Sequence, residues 1–169
     1  MQDKFRDVKL LSNFITIEQC AIEYKVETGA HIDPHIDDCW VWGENVVSIS
    51  LLSDSFLTMT KYEGDSSKYN LKHHCSEEFN GSETITEKGK NCMETKSYPT
   101  VRIPMPARSL LVLFGPARYE WEHCVLRNDI KSRRICLAYR EFTRPYLQGG
   151  KLYDDVGKEI INKSSCFWS

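Results

Sequence analysis

The chain has 169 residues, 41% apolar and 27% charged, with a formal net charge of −2. That length suits one domain with its own core, in the balance of a globular protein. The small acidic charge gives no general electrostatic case for a nucleic-acid binder, although Lys131, Arg133 and Arg134 cluster locally.

The first ten residues, MQDKFRDVKL, are charged where the apolar stretch of a secretory leader would lie. The longest apolar run, LLVLFG at 110–115, is strand length, well short of the roughly 18 residues needed to span a bilayer. Seven cysteines stand at 20, 39, 75, 92, 124, 136 and 166. Their odd count and the lack of a Cys-x-x-Cys pair predict reduced thiols in an intracellular protein, cytoplasmic or nuclear. No internal repeat is visible, and nothing implies an oligomer.

Taken in order, residues 14–26 carry β-prone side chains (Phe14, Ile15, Ile17, Ile22, Tyr24, Val26). Residues 27–45, with Gly29, Pro34 and Gly43, read as turns. Residues 46–60, VVSISLLSDSFLTMT, predict one or two strands with a turn at Asp54. Residues 63–99 are polar and poor in aliphatics, which predicts a long, loosely structured insertion. Strands return at 100–103, at 109–114 and at 134–142. The continuously apolar 109–114 is expected to be buried on both faces. Val156, Ile160 and Ile161 predict a short C-terminal helix over 152–162. Many short strands with little helix favour a mainly β sandwich or jelly roll.

The stretch HIDPHIDDCW, 31–40, holds two His-x-Asp pairs of the same parity, so an extended chain would point both to one side. Pro34 between them bends the chain, and only one pair is expected to reach a deep site. One His and one carboxylate there, with a second His from elsewhere, make a 2-His-1-carboxylate triad, whose open positions suit iron(II). The second His comes from His73, His74 or His123. His73 and His74 lie in the polar insertion near Cys75 and Cys92, a zinc-like set whose spacing matches no finger pattern. His123 lies in GPARYEWEHCV, where Tyr119, Trp121 and His123 alternate onto one strand face and Glu120 and Glu122 onto the other. In RRICLAYREF, Arg134 and Arg140 are six apart and share a face with the small Cys136 and Ala138, while Ile135, Leu137 and Tyr139 face the opposite way. Two guanidiniums flanking a hollow suit a dicarboxylate ligand; the other reading is a pair of strand arginines matched with acids.

Taken together, PHIDD (34–38), SLLVLFGPARYEWEH (109–123) and RICLAYR (134–140) resemble the AlkB family of iron(II)/2-oxoglutarate-dependent dioxygenases. The resemblance covers about residues 10–150 and keeps the family's motif order. It implies a double-stranded β-helix (jelly roll) spanning 1–169 as a single catalytic core, with the insertion at about 63–99 and without the family's N-terminal lid. It implies that His35, Asp37 and His123 hold iron(II), with His31 and Asp33 outside the pattern and Asp38 as a following acid. Arg134 would bind the distal carboxylate of 2-oxoglutarate, Arg140 would lie nearer the metal, and Tyr24 would hydrogen-bond the cosubstrate. Two departures are Ile22, where Asn is frequent, and Cys136, where a polar residue is common. The implied reaction is oxidative N-demethylation with O2, giving succinate, carbon dioxide and formaldehyde. The implied substrate is methyl-lysine in a protein such as actin, or N6-methyladenine in DNA. Trp40, Trp42, Tyr119 and Trp121 could form an aromatic wall for either group. A binding module with a damaged site and a cupin-like zinc protein are the readings from other classes.

Overall fold

The computed structural model describes residues 2–75 and 98–167. Among these residues eight strands form two antiparallel sheets of four. The strands are β1 (Glu18–Tyr24), β2 (Ile32–His35), β3 (Trp42–Leu51), β4 (Ser55–Lys61), β5 (Val101–Met105), β6 (Leu110–Leu113), β7 (Trp121–Val125) and β8 (Arg134–Phe142). One sheet runs β1-β8-β3-β6 and the other β2-β7-β4-β5. Chain neighbours such as β3 and β4 therefore lie in opposite sheets, which is the winding of a jelly roll.

Tyr24, Val46, Leu57, Met105, Leu113 and Val125 pack between the sheets. The outer face of the first sheet has its own cover. The N-terminal helix α1 (Gln2–Arg6) and the turns after it bury Phe5, Leu11 and Phe14 against Val47 and Tyr139. Phe5 meets Tyr139 edge-on at 5.0 Å. Both faces of β8 are thus occupied. Arg134, Cys136 and Ala138 look inward, and Leu137 and Tyr139 lie under the N-terminal cover. Each large apolar side chain buried there contributes roughly 1.5–3 kcal/mol.

Several sequence expectations change. Residues 27–45, read as turns, contain β2 (Ile32–His35) and the first residues of β3, which starts at Trp42. The run 109–114 is an edge strand, paired only with β3 among the described strands. Leu111 and Leu113 reach the inter-sheet core and Val112 the outer cover, but Leu110 and Phe114 are 42% and 48% exposed. Tyr119 does not share a strand face with Trp121 and His123. Pro116, with its preset backbone angle, starts a short helix α3 (Pro116–Tyr119), and the strand begins only at Trp121. The C-terminal helix α4 spans Lys158–Phe167, later than predicted, after a turn of π-helix at Tyr153–Gly157.

The first part of the polar stretch is ordered. A turn at Lys68–Asn70 leads into the helix α2 (Leu71–Cys75), and residues 76–97 lie outside the described residues. Among the described residues, no helix is long and apolar enough to cross a membrane.

Candidate metal centre and anion pocket

β2 and β7 run antiparallel, and their register places His35 directly opposite His123. The two rings lie 4.4 Å apart at 49°. Pro34 falls where this register shifts; it sits on the edge strand β2, where its missing N–H is tolerated. Past His35 the chain leaves the strand and turns Asp37 inward, to 7% exposure. Asp37 Oδ2 then stands 3.8 Å from His123 Nε2. His35, Asp37 and His123 each offer a ligand atom within 4.8 Å of the others, the one such metal-capable group among the described residues.

Local bonds fix two of the three donors, His35 and Asp37, while His123 Nδ1 is buried without a hydrogen-bond partner. His35 Nδ1 lies 2.8 Å from the Asp33 carbonyl oxygen, which favours a proton there and leaves Nε2 as the lone-pair donor. Arg140 donates to Asp37 Oδ1 through Nε at 2.9 Å, and its Nη2 forms an ion pair with the same oxygen at 2.7 Å. Asp37 Oδ2 is buried with no hydrogen-bond partner. Burial alone would raise the Asp37 pKa. Arg140, His123 and Arg118 outweigh it and hold the carboxyl below its usual range. Burial pushes His123 down to about 4, with Asp37 partly opposing, so the ring is neutral near pH 7. Two imidazoles and an ionised carboxylate with a free oxygen fit a borderline divalent ion such as iron(II).

The second His-x-Asp copy is a surface pair. His31 Nε2 lies 3.3 Å from the Asp33 carboxylate, and both side chains are exposed. Asp33 still contributes its backbone carbonyl to His35. Asp38 caps a turn: its Oδ1 accepts the Trp40 and Val41 amides, each at 2.9 Å, and its Oδ2 accepts the Asn70 amide at 2.5 Å.

A narrow cavity between the sheets joins the triad to Arg134, Arg140, Tyr24, Cys136 and Ala138. The two arginines differ. Arg140 is matched with acids, Asp37 and Glu18. Arg134 is 1% exposed, gives one bond of 2.9 Å to Ser50 Oγ, and leaves Nε and Nη1 without partners. Its guanidinium lies 4.9 Å over the Tyr24 ring. Burial lifts the Tyr24 phenol to about 12, keeping it a protonated donor. A buried cation without an anion costs several kcal/mol, and a carboxylate in this cavity would relieve it.

The aromatic wall expected at Trp40, Trp42, Tyr119 and Trp121 does not form as one surface. Trp42 stacks on Phe142, Trp121 packs on the inter-sheet core, and Trp40 contacts His73 and Tyr146. Of the zinc-like set, His73 is spent on the Trp40 ring at 4.5 Å, and Cys92 lies outside the described residues. Sequence reasoning assigned no role to Arg118, which is 1% exposed and donates to four backbone carbonyls. Its only advance signal is its place in GPARYEWEH, five residues before His123.

No family model matches the chain. The proteins named alpha-ketoglutarate-dependent dioxygenase alkB homolog 4 from Mus musculus and Homo sapiens are each 37% identical to it over 158 residues. Those alignments cover 93% of this chain and 51% of each relative. The Caenorhabditis elegans protein named DNA N6-methyl adenine demethylase is 32% identical over 155 residues, covering 92% of this chain and 42% of the relative. The chain thus spans about half the length of the curated relatives it matches.

Proposed function

We propose that this chain, which belongs to the AlkB family of 2-oxoglutarate-dependent dioxygenases, is the catalytic core of an oxidative N-demethylase. One observation carries the reading: a buried, unpartnered Asp37 oxygen beside two histidines shares a cavity with the unpartnered nitrogens of Arg134.

In this reading His35, Asp37 and His123 would hold iron(II), which would have further positions for ligands. Bound there, iron(II) with 2-oxoglutarate and O2 supplies the oxidising power that removes an N-methyl group as formaldehyde. The protein's part is binding and placement. Arg140 holds Asp37 Oδ1 and so presents Oδ2 to the metal. Arg134 grips the far carboxylate of 2-oxoglutarate, with Ser50 fixing the guanidinium plane and Tyr24 donating a hydrogen bond. Cys136 and Ala138 are small, which leaves the cosubstrate room between the two arginines. The inter-sheet cavity would hold the reacting groups in fixed relative positions.

The substrate we assign is methyl-lysine in a protein such as actin, and the compartment is cytoplasm or nucleus. The net charge of −2 and the absence of a basic stripe in the sequence support a protein over DNA. The second reading, N6-methyladenine in DNA, is supported by the name of the C. elegans relative. Formaldehyde release from a methyl-lysine peptide and from methyladenine DNA, measured side by side, separates them. The expected result is release from the peptide that His123→Ala abolishes. Release from DNA alone would reverse the assignment.

A further inference from the structure

The segment that carries Asp37 into the site turns back on itself between β2 and β3, and its carbonyls converge on one side chain. Arg118 Nη1 donates to the Asp37 carbonyl at 2.9 Å, and Nη2 to those of Asp38 and Trp42 at 3.2 and 3.0 Å. Its Nε donates to the Gly43 carbonyl at 3.2 Å. Cys39 Sγ lies 3.6 Å from Nη1. Residues 37–43, the loop after β2 and the first two residues of β3, are therefore wrapped around one buried guanidinium.

These contacts are an unusual use of a charge. No salt bridge reaches Arg118 among those found for the described residues, although a buried cation ordinarily takes a carboxylate. A planar fork of five N–H donors instead satisfies carbonyls that would otherwise be buried without partners. An apolar side chain of the same volume could fill the space but would leave those carbonyls unmet.

Arg118 also sits on the segment that delivers the second histidine. It belongs to α3, which enters at Gly115 in the left-handed region (φ 53°) and leads directly into β7 with His123. Glu44 anchors that entry by accepting the Gly115 amide at 2.6 Å. One side chain rooted beside His123 thus grips the backbone of Asp37 itself.

We infer that Arg118 is a positioning residue for the metal centre: its guanidinium shapes the 37–43 segment so that the Asp37 carboxylate faces His123 before metal arrives. The inference rests on the triad reading above. It makes the site preformed, with the loop closed around Arg118 and not around the ion. Lysine cannot replace it, because a single ammonium cannot reach four carbonyls spread along the plane of a guanidinium.

The test is cobalt(II) binding to the purified chain, followed by titration and by the visible ligand-field spectrum. Three proteins are compared: wild type, Arg118→Lys, and Leu11→Ala. Leu11 is fully buried in the N-terminal cover on the far side of the first sheet, so its truncation lowers stability without touching the loop. Arg118→Lys is expected to bind cobalt(II) about 10–100-fold more weakly, with a shifted spectrum, as when an outer partner of a metal ligand is lost. Leu11→Ala is expected to keep the wild-type affinity and spectrum. Wild-type binding by Arg118→Lys, or equal losses in both variants, would overturn the positioning role. A wild type that binds no cobalt(II) would instead overturn the triad reading beneath it.

If Arg118→Lys does not fold, the wild type alone decides. The Arg118 Nε–H resonance should exchange slowly in metal-free protein and hold its shift when zinc(II) is added. A resonance that becomes protected only with metal would show that the ion organises the loop.

Discussion

At Arg134 the free state is strained by charge. The guanidinium is buried with two nitrogens unpartnered, and its one hydrogen bond to oxygen goes to neutral Ser50. Replacing it with methionine removes an uncompensated cation, so Arg134→Met should melt at or above the wild-type temperature without ligand. The same variant should lose the rise in melting temperature that 2-oxoglutarate gives the metal-loaded wild type. A wild-type rise in Arg134→Met would place the cosubstrate elsewhere. His123 sets a pH dependence of definite sign. Burial lowers its pKa to about 4, against about 6.5 for an unfolded histidine. The folded chain therefore holds the ring neutral, and its contribution is complete above pH 6.5. It is lost as pH falls from 6.5 towards 4, by on the order of 3 kcal/mol. Asp37, also depressed, adds a loss in the same direction at lower pH. Urea midpoints of the metal-free chain from pH 7 to 4 should show this fall, and His123→Phe should flatten it. Legibility at this scale follows the type of partner. Arg134 and Arg140 stood out because their spacing places them on one strand face, whereas spacing alone left His35 and Asp37 level with His31 and Asp33, and the family resemblance separated them. Arg118 did not stand out, because backbone carbonyls receive its bonds and those carry no sequence signature.

Strands β3, β4, β5 and β8 lie close to where β-prone runs and turn residues put them. Their neighbours were another matter, because periodicity reports a face but not who sits beside it. For that reason β6 was expected deep inside, whereas it is an edge strand with Leu110 and Phe114 exposed. Tyr119 was read onto β7 because alternation continues through it, yet Pro116 imposes a helical turn first. The stretch after β4 looked loose because it lacks aliphatics. Its start is nonetheless anchored by polar bonds: Asn70 to Asp38, Tyr69 to Glu122 at 2.6 Å, and the Cys39 amide to the Tyr69 carbonyl at 2.8 Å. Tyr69 and Asn70 both adopt left-handed backbone angles, φ 62° and 58°, which asparagine tolerates better than tyrosine. The N-terminal cover makes a quantitative prediction. Phe5 is 1% exposed against Phe14 and Tyr139, so Phe5→Ala should cost about 3–5 kcal/mol in urea unfolding. The folded fraction should keep its affinity for 2-oxoglutarate, because the cover lies on the outer face of β8. A lost affinity in fully folded Phe5→Ala would show that the outer face sets the inner one.

Across the whole molecule the two sheets divide the proposed site: the β2-β7 pair with the loop after β2 brings together three residues that could hold an ion, and β8 in the opposite sheet carries the two guanidiniums. The cavity between them is where an ion and a dicarboxylate would meet. Short strands and turns pointed to a sandwich or a jelly roll and the family resemblance to the jelly roll, but the pairing of triad and Arg134 across two sheets became visible only in three dimensions. The chain aligns with about half the length of the Mus musculus and Homo sapiens relatives. Whether this cavity assembles iron(II) and 2-oxoglutarate together is read from the visible spectrum of the purified chain with both added in the absence of oxygen. A weak charge-transfer band from the chelated keto acid is expected in wild type and is expected to be absent in His123→Ala. A folded wild-type chain that binds neither, and shows no band, would rule out the assembled site.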